Sequence, residues 1–261
     1  MSAKTIGFLG FGKMAQSIAA GIADAGSLQY YDPAEGSQHE AARALKLHRS
    51  PNARELETAS DIVLICVKPQ DMGAALQPLE GNKSYISIAA GISAQKVISQ
   101  LPNPSARVAR VMPNLGATIG QSVSGIYSGD KALEKETIAL FSRIGMAFSV
   151  SRESLLHAVT ALSGSGPAYA FLFLQSMAEG GIKQGLPADQ SFEMAARTVR
   201  AAMDLFLESR EHPGQWITRV SSPAGTTIEG LATLEDHGFR AAVIRAVEAA
   251  AERSRELGQS D

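Results

Sequence analysis

Short apolar runs alternate with helical patterns through the first half of the chain. The run over residues 61–67, DIVLICV, lacks alternation of apolar and polar positions, which is typical of a parallel strand buried on both faces. Strands alternating with helices predict an α/β domain with a doubly wound, mostly parallel sheet. The predicted strands are Thr5–Leu9, Leu28–Tyr31, Asp61–Val67, Ser84–Ala90 and Arg107–Met112, with weaker candidates at Ser124–Tyr127 and Ala147–Val150.

Helical patterns alone occupy the chain from about residue 153. Pro167 suits the first position of a helix, and the helix that it starts is apolar on most faces. Such a helix needs more apolar partners than about a hundred residues readily supply, which favours an oligomer interface; a core within one chain is the alternative. We therefore predict two domains, an α/β domain over residues 1–152 and an all-helical domain over residues 153–261.

A glycine-rich turn links the first predicted strand to the first predicted helix. Gly10 permits a tight turn, Gly12 lets backbone N–H groups approach a pyrophosphate, and Ala15 lets the helix pack closely on the strand. This GxGxxA pattern indicates a Rossmann-type domain that binds a dinucleotide, although a glycine turn in another α/β protein could share it. Asp32, at the end of the second strand, is placed to bind an adenosine ribose, which favours NAD; alternatively it opens a turn before Pro33.

Charge and cysteine content narrow the class of protein. The chain has 261 residues, a net charge of −2 and one cysteine, Cys66. We therefore expect no nucleic acid or membrane surface as a partner, no intrachain disulfide and, with five scattered histidines, no metal site. The N-terminal residues run directly into the first strand and the longest apolar run is too short to span a bilayer, so we expect a cytoplasmic protein.

Several loops carry groups that could hold a ligand. Residues 68–69, 89–91 and 113–114 follow predicted strands, and ligands of doubly wound sheets lie beyond the carboxyl ends of the strands. Each loop alone could be an ordinary connection. In the second half, SSPAGTTIEG offers hydroxyl and backbone N–H groups ahead of a helix, which suits a carboxylate. Thr226 or Thr227 could equally be a plain N-cap there.

Seven segments together resemble the pyrroline-5-carboxylate reductase family. They are IGFLGFGKMA, CVKPQ, SIAAGI, RVMPN, LSGSGPAY, SSPAGTTIEGL and GFRAAVIRAVEAA, in an order that covers nearly the whole chain. The resemblance implies reduction of 1-pyrroline-5-carboxylate to L-proline, the last step of proline biosynthesis, by hydride transfer from NADPH or NADH. It also implies an N-terminal Rossmann domain and a C-terminal helical domain that forms a homodimer, sometimes within a larger homo-oligomer.

The resemblance assigns roles to particular residues of this chain. The loop over residues 222–227 would hold the substrate carboxylate, with the Thr227 hydroxyl beside the ring nitrogen. Since a Thr hydroxyl is a poor acid, we expect Thr227 to relay or orient a proton; a protonated imine arriving from solution is the alternative. The implied substrate-binding residues are Ser222, Gly225, Thr226, Thr227 and Glu153. The implied cofactor-binding residues are Leu9, Gly10, Phe11, Gly12, Lys13, Met14, Asp32, Asn52, Cys66, Val67, Lys68, Pro69, Ala89, Ala90 and Gly91.

Two positions depart from the family pattern. Ala224 replaces a usual glycine and would be strained if its φ is positive. Asp32 replaces a small hydroxyl residue suited to the 2′-phosphate of NADPH, and it would repel that phosphate unless a nearby cation compensated. Lys13, Lys46 and Arg49 are candidates for that cation, and Arg219 would be another if it reached a partner chain's cofactor.

Two other functions remain open from the sequence, and a third is disfavoured. The disfavoured one is a dehydrogenase of the 6-phosphogluconate or 3-hydroxyacid type, which would need a catalytic Lys a few residues after SGSGP, whereas the first Lys there is Lys183. A reductase of another small cyclic imine carboxylate and a non-catalytic dinucleotide-binding regulator are the further alternatives.

Overall fold

The protein is seen here in a computed structural model that describes residues 4–34 and 36–259. The chain folds into two compact units. One comprises the described residues up to Ser165 together with those from Ala249 onward, and the other is Gly166–Glu248. The predicted division after residue 152 falls inside the first unit, and as a domain border it stays a prediction.

The first unit is built on a sheet of eight strands in the order β3-β2-β1-β4-β5-β6-β7-β8, in which only the β6–β7 pair is antiparallel among the described residues. The doubly wound, mostly parallel sheet predicted from the sequence is therefore confirmed. The strands are β1 Lys4–Leu9, β2 Gly26–Tyr31, β3 His48–Arg49, β4 Ile62–Ile65, β5 Ser84–Ser87, β6 Arg107–Met112, β7 Ser122–Ser128 and β8 Gly145–Ser149.

Helices cover both faces of this sheet. They are α1 Lys13–Gly21, α2 Ser37–Ala44, α3 Ala53–Thr58, α4 Met72–Leu76, α5 Ala94–Ser99, α6 Lys131–Phe141 and α7 Leu155–Val159. Residues of α1, α2 and α6 join one apolar cluster, and residues of α3, α4 and α5 join a second. All four residues of β4 are buried, as its uninterrupted apolar run predicts for a strand covered on both sides.

Shorter helical turns complete the connections. Residues Pro69–Asp71, Leu115–Ile119 and Ser142–Ile144 form 3₁₀ turns, and Thr160–Gly164 forms a π turn directly ahead of α8. The strand predicted over Ser84–Ala90 ends early, at Ser87, and the chain then turns with Gly91 at a φ of +81°. A residue in the left-handed region does not continue a β-ladder, so the extended run ends at this turn.

The second unit is helical. It contains α8 Gly166–Lys183, α9 Ala188–Ser209, α10 Pro213–Val220, α11 Thr226–Asp236 and the first half of α12 Phe239–Gln259. Many of its large apolar side chains are exposed in the single chain: Leu172 is 66% exposed, Phe171 60%, Met203 54% and Ile244 52%. Monomeric proteins rarely expose contiguous apolar surface on this scale, which points to an interaction surface.

Candidate functional site

The turn from β1 into α1 requires glycine at position 10. Gly10 has a φ of +86°, and its N–H donates to the carbonyl of Tyr31 at 2.8 Å. A Cβ at this position would lie 2.9 Å from the Val67 side chain and 3.1 Å from the Cys66 carbonyl carbon. Glycine therefore satisfies both the left-handed backbone and the close approach of this turn to the end of β4.

The next glycine leaves an open cradle at the start of α1. Gly12 is the N-cap of the helix, and a Cβ there would meet no atom within 4 Å. No side chain caps the first turn, so its N–H groups remain available at the positive end of the helix dipole. Ala15, 1% exposed, packs the helix against the sheet. Donors, dipole and free space fit the pyrophosphate of a dinucleotide.

Asp32 fastens the glycine turn to the end of β2. Its Oδ2 accepts a hydrogen bond from the Phe11 N–H at 2.7 Å, and its Oδ1 accepts one from the Ala34 N–H at 2.9 Å. The second bond is the local turn that the sequence offered as an alternative. The first bond spans 21 residues, which local turn chemistry alone does not explain.

A cavity of about 900 Å³ opens beside this turn. Nine of the expected cofactor-binding residues line it: Leu9, Gly10, Phe11, Gly12, Asp32, Asn52, Cys66, Val67 and Lys68. The other expected residues, Lys13, Met14, Pro69, Ala89, Ala90 and Gly91, are not among its lining. The sequence analysis missed further lining residues, among them Tyr31, Arg54, Asp71 and Pro78. The start of α3 brings Arg54 to the wall, and this helix of six residues gives no clear periodic pattern.

Two of the lining side chains, Asn52 and Cys66, have well-defined chemical environments. Asn52 is the N-cap of α3: its Oδ1 accepts from the Glu55 N–H at 2.8 Å while its Nδ2 donates to Glu55 Oε1 at 2.9 Å. Burial raises the pKa of the Cys66 thiol, so this group is neutral at physiological pH and is not a nucleophile.

The loop over residues 89–91 packs against the end of α12 instead of the large cavity. A Cβ on Gly91 would lie 3.3 Å from the Gly258 nitrogen and 3.3 Å from the Leu257 Cβ. In the same unit, His157 Nδ1 and Ser254 Oγ form a hydrogen bond of 2.9 Å. The C-terminal half of α12 thus supports the loop expected to contact the nicotinamide half of a cofactor.

Glu153 lies in the first unit, beside a cavity of about 450 Å³ that Arg110 and His157 also line. Its Oε1 accepts from Arg110 Nη1 at 3.0 Å and from the Ala94 N–H at 2.7 Å. The Arg110 side chain is only 7% exposed, and burial lowers its pKa. Burial, followed by the nearby cations Arg110 and Arg255, also lowers the pKa of His157. Glu153 is therefore the counter-charge of a buried cation.

The loop over residues 222–227 lies in the second unit and leads into α11. Gly225 is the N-cap of this helix, so Thr226 and Thr227 occupy its first turn and the alternative that either Thr is the N-cap is wrong. Within the described residues, neither Thr hydroxyl is engaged in a hydrogen bond. Ala224 has a φ of +53°, so the condition for strain at this position is met. The loop offers hydroxyls and free N–H groups to an anion.

Arg219, just ahead of this loop, is engaged within its own unit. Its Nη1 forms an ion pair with Glu211 Oε2 at 2.5 Å, and its guanidinium carbon lies 4.8 Å from the centre of the Trp216 ring.

No described helix is long and apolar enough to cross a membrane. In the described part of the chain, no group of three or more His, Cys, Asp or Glu side chains is arranged to hold a metal.

Two family models match the chain. Residues 153–257 match a model described as pyrroline-5-carboxylate reductase dimerisation, which supports a homo-oligomer. Residues 5–91 match a model described as NADP oxidoreductase, coenzyme F420-dependent. The two matches correspond to the Rossmann-type sheet region and to the helical region of the chain.

Relatives match this chain over nearly its whole length. A pyrroline-5-carboxylate reductase from Methanosarcina acetivorans is 38% identical over 99% of this chain and 100% of its own length. One from Escherichia coli is 32% identical over 98% of this chain and 99% of its own length. The structure of a reductase of this name from Streptococcus pyogenes has a TM-score of 0.90 at 32% identity, covering 97% of this chain and 98% of its own. The reductase from Plasmodium falciparum, solved with NADP bound, has a TM-score of 0.88 at 29% identity, covering 99% of each chain.

Proposed function

We propose a function for this chain from one premise: it belongs to the pyrroline-5-carboxylate reductase family. The chain is an NAD(P)H-dependent oxidoreductase that reduces the C=N bond of 1-pyrroline-5-carboxylate to give L-proline. The observation that carries the proposal is the 38% identity over 99% of the chain, because this match includes both the glycine turn and the SSPAGTT loop.

The first unit holds the cofactor. The α1 N-terminus and Gly12 bind the pyrophosphate, Asp32 and Asn52 lie on the adenosine side, and residues 66–69 and 89–91 bound the nicotinamide half. When bound, the reduced dinucleotide supplies the hydride that adds to the imine carbon. The chain contributes position and charge, which for oriented reactants accounts for a large part of the rate.

The loop over residues 222–227 holds the substrate. The N–H groups in the first turn of α11 and the Ser222 hydroxyl bind the carboxylate, which fixes the ring. Hydride addition to C=N is complete only when the nitrogen gains a proton, and Thr227 orients or relays that proton. Glu153, which neutralises Arg110, acts within the first unit, where it fixes the segment ahead of α7 and the start of α5.

The active form is a homodimer joined through the helices of the second unit. The exposed apolar side chains of α8, α9 and α12 support this assembly, because they would otherwise face water. A larger homo-oligomer is compatible with the same interface. The expectations that the protein is cytoplasmic and binds no nucleic acid stay predictions from its sequence.

Loss of NADH or NADPH, followed at the nicotinamide absorbance with 1-pyrroline-5-carboxylate added, tests the proposal. We expect turnover by the wild type, a loss of kcat of about a hundredfold in Thr227→Ala, and near-normal turnover in Thr227→Ser, which keeps the hydroxyl. Equal rates for wild type and Thr227→Ala would assign proton delivery to solvent or to another residue. Protein that binds the dinucleotides but oxidises neither would refute the reductase function, and other cyclic imines would be assayed next.

A further inference from the structure

We propose that Asp32 makes this chain select NADH over NADPH. The inference rests on the proposed dinucleotide site and adds the identity of the preferred cofactor. The Plasmodium falciparum relative was solved with NADP bound. The preference inferred here therefore does not come from that relative, and it is argued from this chain's own residues. Three features of the described site support it: the acceptor capacity of Asp32, its fixed position, and the pairing of the nearby cation.

The Asp32 carboxylate has acceptor capacity left for a ribose. An ionised carboxylate offers about four lone-pair positions, and the N–H groups of Phe11 and Ala34 use two of them. The remaining positions accept hydrogen bonds from hydroxyl groups. The 2′- and 3′-hydroxyls of the NADH adenosine are donors of this kind. A 2′-phosphate is an acceptor with negative charge, so it repels the carboxylate.

The position of Asp32 is fixed, so it cannot swing away to admit a phosphate. The bond from Phe11 N–H to Oδ2 is 2.7 Å long and connects the side chain to the glycine turn itself. The bond from the Ala34 N–H, 2.9 Å long, holds the other oxygen, Oδ1. Moving the carboxylate out of the cavity would break both bonds and leave the Phe11 N–H without its acceptor, at a cost to the turn that binds the pyrophosphate.

Neither of the two described cations that line the cavity is paired with Asp32. Among the described lining residues the cations are Arg54 and Lys68, and the acids are Asp32 and Asp71. Arg54 forms an ion pair with Glu80. Lys68 follows β4, which β1 separates from β2, so two strand spacings, about 10 Å, lie between the Lys68 and Asp32 strand ends. Arg219 lies in the second unit, already paired with Glu211.

The test is direct binding of NADH and of NADPH, without imine, by calorimetry. We expect the wild type to bind NADH at least about tenfold more tightly, since like charges a few ångströms apart repel by this order even in water. In Asp32→Ser this ratio should fall at least about tenfold. Asp71→Ser is the matched control, because it removes another acid of the same cavity on the β4 side, and its ratio should equal that of the wild type.

The ratio of the NADH and NADPH affinities distinguishes cofactor selection by Asp32 from its effect on the stability of the glycine turn. Losing the bond to Phe11 weakens both dinucleotides alike, whereas losing the negative charge favours only NADPH. Wild-type protein that binds NADPH as tightly as NADH, or an Asp32→Ser ratio equal to the wild-type ratio, overturns the inference. Selective NADH binding without turnover of the imine would leave the inference standing and refute the reductase function. Binding of neither dinucleotide would overturn both.

Discussion

Replacing Ala224 by glycine should stabilise this protein. Ala224 has a φ of +53°, where its Cβ crowds the backbone. An L-residue in this region costs about 1–2 kcal/mol, and glycine avoids that cost. Glycine in turn loses about 0.4–1 kcal/mol more backbone entropy on folding than alanine does. Because Ala224 is exposed, its methyl group contributes little burial. The net expectation for Ala224→Gly is a gain of about 0.5–1 kcal/mol in the free energy of unfolding.

Thermal unfolding of the two proteins measures this gain. For a chain of this size, about 1 kcal/mol corresponds to a shift of about 2–4 °C, so Tm should rise by about 1–4 °C. Protein concentration must be equal in both samples, because the stability of a homo-oligomer depends on it. Ala232→Gly is the matched control: it is the same substitution at an exposed position inside α11, and it should destabilise by about 1 kcal/mol.

The two variants must therefore change Tm in opposite directions. Suppose that Ala224→Gly lowered Tm, as we expect of Ala232→Gly. The free energy gained by removing the strained alanine at residue 224 would then be smaller than the free energy that glycine loses through its greater backbone entropy. The reasoning would then be refuted, whatever the effect of the substitution on activity.

Two ion pairs of the first unit give further predictions. Glu153→Ala should lower the free energy of unfolding in urea by about 1–3 kcal/mol, because it leaves the buried Arg110 guanidinium and the Ala94 N–H without their acceptor; Glu153→Gln, which keeps an acceptor oxygen, should cost less, and an equal cost would contradict this account. Asp130 caps α6 and pairs with Arg107, and the hydrogen bond from that guanidinium holds the Asp130 pKa at about 2. A depressed acid pKa contributes stability above its unfolded value, and that stability is lost as pH falls through the folded value. The stability advantage of the wild type over Asp130→Asn should thus shrink between about pH 4 and pH 2, and a constant difference across that range would refute the assignment.

Local patterns of apolar residues were enough to predict most of the fold from the sequence. Apolar runs located seven of the eight strands, and β6 has the predicted bounds, Arg107–Met112. The missed strand, β3, is the polar pair His48–Arg49, which is a strand only because β2 lies beside it. Helices of five or six residues, such as α3 and α4, are too short for a 3.6-residue period to appear.

The features of the candidate site likewise fall into local ones, which the sequence predicts, and ones that depend on tertiary packing. The roles of Gly10 and Gly12 are local, so their spacing predicts them. The pairing of Arg110 with Glu153 joins residues 43 apart and depends on how β6 and the segment before α7 pack, which no spacing rule reveals. Arg54 likewise reaches the cavity wall only through the sheet order. What sequence reasoning misses is what tertiary packing alone brings together.

The first unit is not continuous along the chain, and this affects how it can fold during translation. Its segment from Ala249 onward is synthesised only after all of Gly166–Glu248 has been made. Until then Gly91 has no Gly258 to pack against, and His157 has no Ser254 to bond. The β-sheet can form early, but the loop over residues 89–91, which we propose bounds the nicotinamide half, acquires its support only after the second unit has been synthesised. The complete cofactor site should therefore form late in the synthesis of the chain, although the residues around the glycine turn are made early.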